Sequence, residues 1–155
     1  RLLLASRAVG EPGEAVLATT HGRLRAPRLL LVGLGARARF GAEAHRAAVE
    51  VSLQRLLDLG AGSAALDLPP PAGDANEDLI AAGLIGGACA ALDARPARLL
   101  LRIVAESGSA ARMRTSLERA AAARPRGATS VRMARPPVAG PTPSAGIALS
   151  RAPMA

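Results

Sequence analysis

Apolar residues follow two rhythms along the 155-residue chain. Short runs at Ala15 to Thr19 (AVLAT) and Arg28 to Val32 (RLLLV) predict strands, and the second is the continuous kind that a parallel sheet buries on both faces. Over 42–59 the rhythm lengthens: Val49, Leu53, Leu56 and Leu57 recur at helical spacing, and Gly60 stands where a C-terminal cap is expected. Residues 63–68 read as a strand stopped by the prolines at 69–71. Asp74 followed by Glu77 has the form of a capping box, which predicts a helix over 75–91 with Ile80, Leu84, Gly87 and Ala91 inward. A strand over 98–105 and a helix over 109–123 complete the pattern. Ahead of it, 1–6 (RLLLAS) has the look of a helix end without its beginning, and 10–14 (GEPGE) is turn material.

The order strand, strand, helix, strand, helix, strand, helix argues for an α/β fold. The expected architecture is three-layered: a mixed, mostly parallel sheet with helices on both faces. The length suits one domain. That domain is placed at 1–123, and the Arg/Ala/Pro-rich tail at 124–155, including RPPVAGPTPSAG, is expected to be disordered.

Composition narrows the core. There is no Trp or Tyr and only Phe40 among the aromatics, so Leu, Val, Ile and Ala must fill it. All 20 basic residues are Arg, which we read as coding bias. The net charge of +8 is unevenly spread: residues 1–94 carry nine Arg against ten acids, net −1, and residues 95–155 eleven Arg against two acids, net +9. A basic tail without aromatic residues can hold phosphates weakly but does not read bases, so specific nucleic-acid recognition is not expected. The single Cys89 cannot form an internal disulfide, and no apolar run reaches the roughly eighteen residues of a membrane span. A cytoplasmic, membrane-free protein is expected.

Candidate chemistry is sparse. Gly33, Gly35 and Ala38 fit G-x-G-x-x-A, in which glycines let backbone amides approach a pyrophosphate. The surroundings do not follow the dinucleotide pattern: the helix begins about seven residues after the second glycine, and Asp67 lies 32 residues beyond Gly35 (67 − 35) where about twenty is expected. A turn leaving a strand accounts for the glycines better, with Gly33 and Gly35 kept as weak phosphate-type contacts. GLIGGA at 83–88 falls inside a helix, where close packing on the sheet would offset the glycines. His21, His45 and Cys89 are isolated and lack metal-ligand spacing, and His45 is expected on a solvated helix face. Ser107, Gly108 and Ser109 lack the G-x-S-x-G of a nucleophile elbow, and a hydroxyl-capped helix start explains them. No catalytic residue, metal ligand or cofactor is assigned.

GEPGEAVLATTHGRLRAPRLLLVGLG, followed by FGAEAHRAAVEVSLQRLLDLG, SAALDLP and NEDLIAAGLIGGACAALDA, resembles the N-terminal domain of the leucyl (cytosol) aminopeptidase family over residues 10–106. The resemblance implies a macro-domain-like α/β fold, here short of the opening strand and helix. In that family the two-metal peptidase chemistry belongs to a separate C-terminal domain with Lys, Asp and Glu motifs such as N-T-D-A-E-G-R. This chain has neither that motif nor any Lys. The implied role is a non-catalytic accessory or interaction domain, with a protein partner or self-association. One alternative is a macro-type module binding ADP-ribose or another phosphate-bearing nucleotide through Gly33 and Gly35, with Asn76 the only Asn. The other is a fragment of a metalloaminopeptidase whose catalytic domain lies elsewhere.

Overall fold

The computed structural model describes residues 8–73, 76–95, 97–104, 109–123, 129–134 and 144–151. The helix end expected at 1–6 lies outside them, as do Asp74, Ser107 and Gly108. Strands β1 (Ala15–Thr19) and β2 (Arg28–Val32) form an antiparallel hairpin in the register Ala15↔Val32 to Thr19↔Arg28. Its loop is closed by the Thr20 N–H donating to Pro27 O and the Thr20 hydroxyl donating to Ala26 O, at 3.0 and 2.7 Å.

Helix α1 (Ala42–Asp58) follows a short 3-10 turn at Arg37–Arg39. It ends as the sequence foretold. Gly60, at φ 66°, donates to Leu57 O, and the Ala61 N–H donates to Leu56 O. These paired bonds satisfy carbonyls that the last helical turn leaves free.

Strand β3 (Ser63–Leu66), helix α2 (Glu77–Ala94) and strand β4 (Arg98–Val104) make a βαβ unit with β3 and β4 parallel. The cap of α2 is Asn76, whose side-chain oxygen accepts from the Leu79 N–H at 2.9 Å, not the Asp74 expected from the capping-box spacing. Asn is as good a cap as Asp, and the acidic first turn of Glu77 and Asp78 favours the positive end of the helix dipole. Helix α3 (Ala110–Ala122) is next, then β5 (Thr129–Ala134) and β6 (Ser144–Arg151).

The α/β class holds, but the sheet is less parallel than expected. The strands form a two-stranded sheet β1-β2 and a four-stranded sheet β3-β4-β6-β5 in which only β3 and β4 run parallel. The reason lies in the tail, expected to be disordered, which contributes β5 and β6 as an antiparallel pair. In SVRMA and GIALS the apolar residues Val131, Met133, Ile147 and Leu149 alternate with other residues at the period of a strand, a signal masked by the surrounding Pro, Gly and Arg. The register sets Ile147 and Leu149 opposite Leu101 and Leu99 of β4.

The three helices pack side by side, α2 between α1 and α3. The core contains Val49 and Leu53 of α1, Leu84, Ile85 and Leu92 of α2, Leu99 and Leu101 of β4, and Leu117 of α3. The glycines of α2 let the helices approach, although the neighbour is α1, not the sheet. A Cβ at Gly87 would lie 2.8 Å from Val49 Cβ, and one at Gly83 2.6 Å from His45 Nδ1. Small residues one helical turn apart allow this contact, and the packing offsets their low helix propensity.

Candidate functional site

At the exit of β2, Gly33 and Gly35 lie against the 10–14 turn. The Gly33 N–H donates to Glu14 O at 2.7 Å, the Gly35 N–H to Gly10 O at 2.8 Å, and Gly33 O accepts from the Gly13 N–H at 3.0 Å. A side chain at Gly33 would meet the Glu11 carbonyl oxygen, and Gly35 sits at φ 73° beside Pro12. The two glycines therefore serve the turn, with their amides engaged by the chain itself. A nest of amides does exist next to them. The Glu14 carboxylate fills it, accepting from the N–H groups of Val9, Gly10 and Glu11 at 3.0, 2.7 and 3.2 Å.

A second cavity, about 650 Å³, opens at the C-terminal ends of β3 and β4, where parallel strands commonly present ligand sites. Asp67, Pro70, Glu77, Ser109 and Arg112 line it together with His45 from the first turn of α1. His45 is not on a solvated face. It is 1 % exposed, both ring nitrogens lack hydrogen-bond partners among the described residues, and burial holds its pKa below the usual imidazole value. Phe40 packs on its ring at a centroid distance of 5.9 Å, and Gly83 clears the other side. The spacing His45, Val49, Ser52, Leu53 was the overlooked signal, since it places the imidazole on the buried stripe of α1. Across the cavity, Arg112 Nε donates to Glu77 Oε1 at 2.8 Å and holds that carboxyl below its usual pKa, while Arg119 pairs with Asp78 at 2.6 Å. These bridges fasten the first turn of α2 to α3.

The third feature was not foreseen in the sequence. Between β2 and β3 lies a slot of about 640 Å³, with Leu29, Leu30 and Val32 on one side and Ala64 and Leu66 on the other. Leu56 of α1 and Leu59 just past its end also line it. Leu17 and Leu24, exposed by 46 % and 53 %, stand at its margin. Neither β2 nor β3 has a described strand on its slot side.

The remaining candidates are scattered. His21 is exposed and shares a 2.8 Å hydrogen bond with Thr19 Oγ1, Cys89 is buried in α2, and Ser109 borders the β3–β4 cavity. Among the described residues no group of three His, Cys, Asp or Glu could hold a metal ion, and no helix is long and apolar enough to cross a membrane.

Helices packed with a mixed sheet define an α/β domain, with the two cavities described above. The pattern of the cytosol aminopeptidase family, N-terminal domain, matches residues 1–92, and the chain belongs to that family. No curated protein and no solved structure matches the chain.

Proposed function

We propose that this chain is a non-catalytic accessory domain that works by associating with polypeptide, in the cytoplasm. The slot between β2 and β3 carries the reading: it is apolar, and the two strand edges beside it carry backbone groups that a compact fold normally pairs. An edge of that kind pairs with whatever strand is offered, so the purified chain is expected to self-associate. Sedimentation velocity over a hundred-fold concentration range tests this. Association that rises with concentration and disappears in Ala65→Arg, which puts a charge on exposed β3 at the slot, is the expected result. A monomer at every concentration would count against it.

A second reading, a macro-type module for ADP-ribose or another phosphate-bearing nucleotide, is favoured by His45, an unpartnered buried imidazole beside a cavity at strand C-termini. A saturable, salt-tolerant rise in Tm with ADP-ribose, lost in His45→Leu, would promote that reading; no shift would remove it. As a piece of a metalloaminopeptidase, the chain would leave peptide hydrolysis to a domain elsewhere in the polypeptide.

A further inference from the structure

We propose that the outer edge of β1 pairs with β1 of a second copy of this chain, antiparallel about a two-fold axis at Leu17. This rests on the association reading above and gives it a contact outside the slot.

Hydrogen-bond parity defines the edge. The Gly33 N–H donates to Glu14 O and the Thr20 N–H to Pro27 O, so Glu14 with Gly33 and Thr20 with Pro27 are bonded pairs at the two ends of the hairpin. Antiparallel ladders alternate bonded and non-bonded pairs, which makes Val16↔Leu31 and Ala18↔Leu29 the bonded pairs between those ends. The backbone groups of Val16 and Ala18 therefore turn toward β2, and those of Ala15, Leu17 and Thr19 turn outward. Among the described residues no strand meets them, because β1 pairs with β2 alone. Open edges in folded proteins are commonly guarded by a charge, a proline or a bulge, and the AVLAT of β1 has no charge and no proline.

A second copy complements this edge in backbone, side chains and charge. Laid antiparallel about Leu17, it sets Ala15 opposite Thr19 and Leu17 opposite Leu17, so every outward residue of one copy falls in a bonded pair with the other. Ala15, Leu17 and Thr19 are also the exposed face of the strand, whereas Val16 is half-buried and Ala18 buried. The two Leu17 side chains, each 46 % exposed in a single copy, lie side by side on that face and cover one another. Glu11 and Arg23 are equally far from Leu17 along the chain (17 − 11 and 23 − 17), both are exposed, and neither has a described ion pair. Antiparallel pairing brings the Glu11 end of each copy to the Arg23 end of the other, and parallel pairing would set like charges together. Five residues a side is less contact than a stable dimer needs, so this pair adds to association at the slot and does not replace it.

The test uses the whole chain, labelled with donor or acceptor dyes and followed by resonance energy transfer. There is no Lys, so amine-reactive dyes attach at the N-terminus alone. Glu11→Arg and Arg23→Glu are each expected to weaken self-association by about tenfold, since each turns two exposed contacts repulsive. Mixing the two variants is expected to restore the native affinity, because every contact is then Arg opposite Glu. Neither residue lines the slot, so the slot contributes equally to all of these measurements. Thr19→Pro removes an outward N–H, a change that an edge strand accommodates, and is expected to weaken association by about tenfold with urea unfolding still cooperative.

Equal affinity in the mixed and unmixed charge variants would overturn the inference, and so would native affinity in a folded Thr19→Pro chain. Association that is lost in Ala65→Arg but indifferent to these changes would sink the β1 contact and spare the slot. Association that survives Ala65→Arg and follows the charge pattern would do the reverse. A chain that stays monomeric throughout would sink both.

Discussion

Leucine behaves differently in two regions of this molecule. In the layer formed by α2, β4 and α3, Leu84, Leu92, Leu101 and Leu117 are no more than 1 % exposed. In the β1–β2 hairpin, Leu17 is 46 % exposed and Leu29, Leu30 and Leu31 are only half-buried. Both regions are comparably apolar in sequence. What separates them is the availability of a second surface: β4 has a strand on each side and helices packed against the same core, whereas β2 has one strand partner and a slot. Burial follows from complementary layers, with hydrophobicity only the precondition.

Truncation is the strongest way to sharpen this contrast. Leu84→Ala should cost about 2–5 kcal/mol in urea unfolding, because the core around it cannot collapse into the void. Leu30→Ala should cost about 1 kcal/mol, since much of that side chain already faces the slot. Equal losses would erase the distinction between the regions.

Overfilling is expected to matter next. Gly87→Val drives a branched side chain into Val49 and the α1 backbone, and a loss of about 1–3 kcal/mol should appear as a lowered Tm. A neutral result would mean that α1 and α2 are not in close contact.

A smaller, pH-dependent effect comes from His45. Burial holds its folded pKa below the ordinary imidazole value of about 6.5, so the unfolded chain binds the extra proton first. Stability is therefore fully present above about pH 6.5 and falls as the pH drops toward the folded pKa. Asp67, Glu77 and Arg112 border the same cavity, and Glu77, lowered from 4.5 by Arg112, loses its contribution only further into acid. Thermal melts from pH 7 to 5 should fall in the native chain and flatten in His45→Leu. An equal slope in both would detach the acid sensitivity from this imidazole.

The smallest change belongs to the margin of the slot. Leu24→Ser should leave stability within about 0.5 kcal/mol, as expected for a surface substitution. A larger loss would mean that Leu24 is covered in solution.

Much of the fold was legible because local signals agreed. Gly60 after a periodic run fixed the end of α1, and RLLLV and RLLLRIV each marked a strand. The family, too, was legible, as a resemblance carried by LLLVGLG and the Ala-rich helix after it, and the family pattern matches residues 1–92. The less legible parts depended on contacts across the chain. β5 pairs with β6 and β6 with β4, so weak local alternation was outweighed by Pro and Gly nearby. His45 looked solvated beside Glu43 and Arg46, whose 2.7 Å ion pair does face water, yet its own position one step along the helix turns inward onto Gly83. Gly33 and Gly35 matched a phosphate motif locally, and only the 10–14 turn reveals where their amides go. The slot could not be read at all, because it is a relation between two strands separated by a whole helix.

Amide hydrogen exchange of the purified chain, followed by NMR at a concentration where it is monomeric, tests the open slot most directly. The expected result is slow exchange throughout Leu99 to Ile103 of β4 and fast exchange at alternate amides of β2 and β3, those directed into the slot. Uniformly slow exchange across Leu29 to Val32 and Ala64 to Leu66 would contradict it, since those edges would then already be paired.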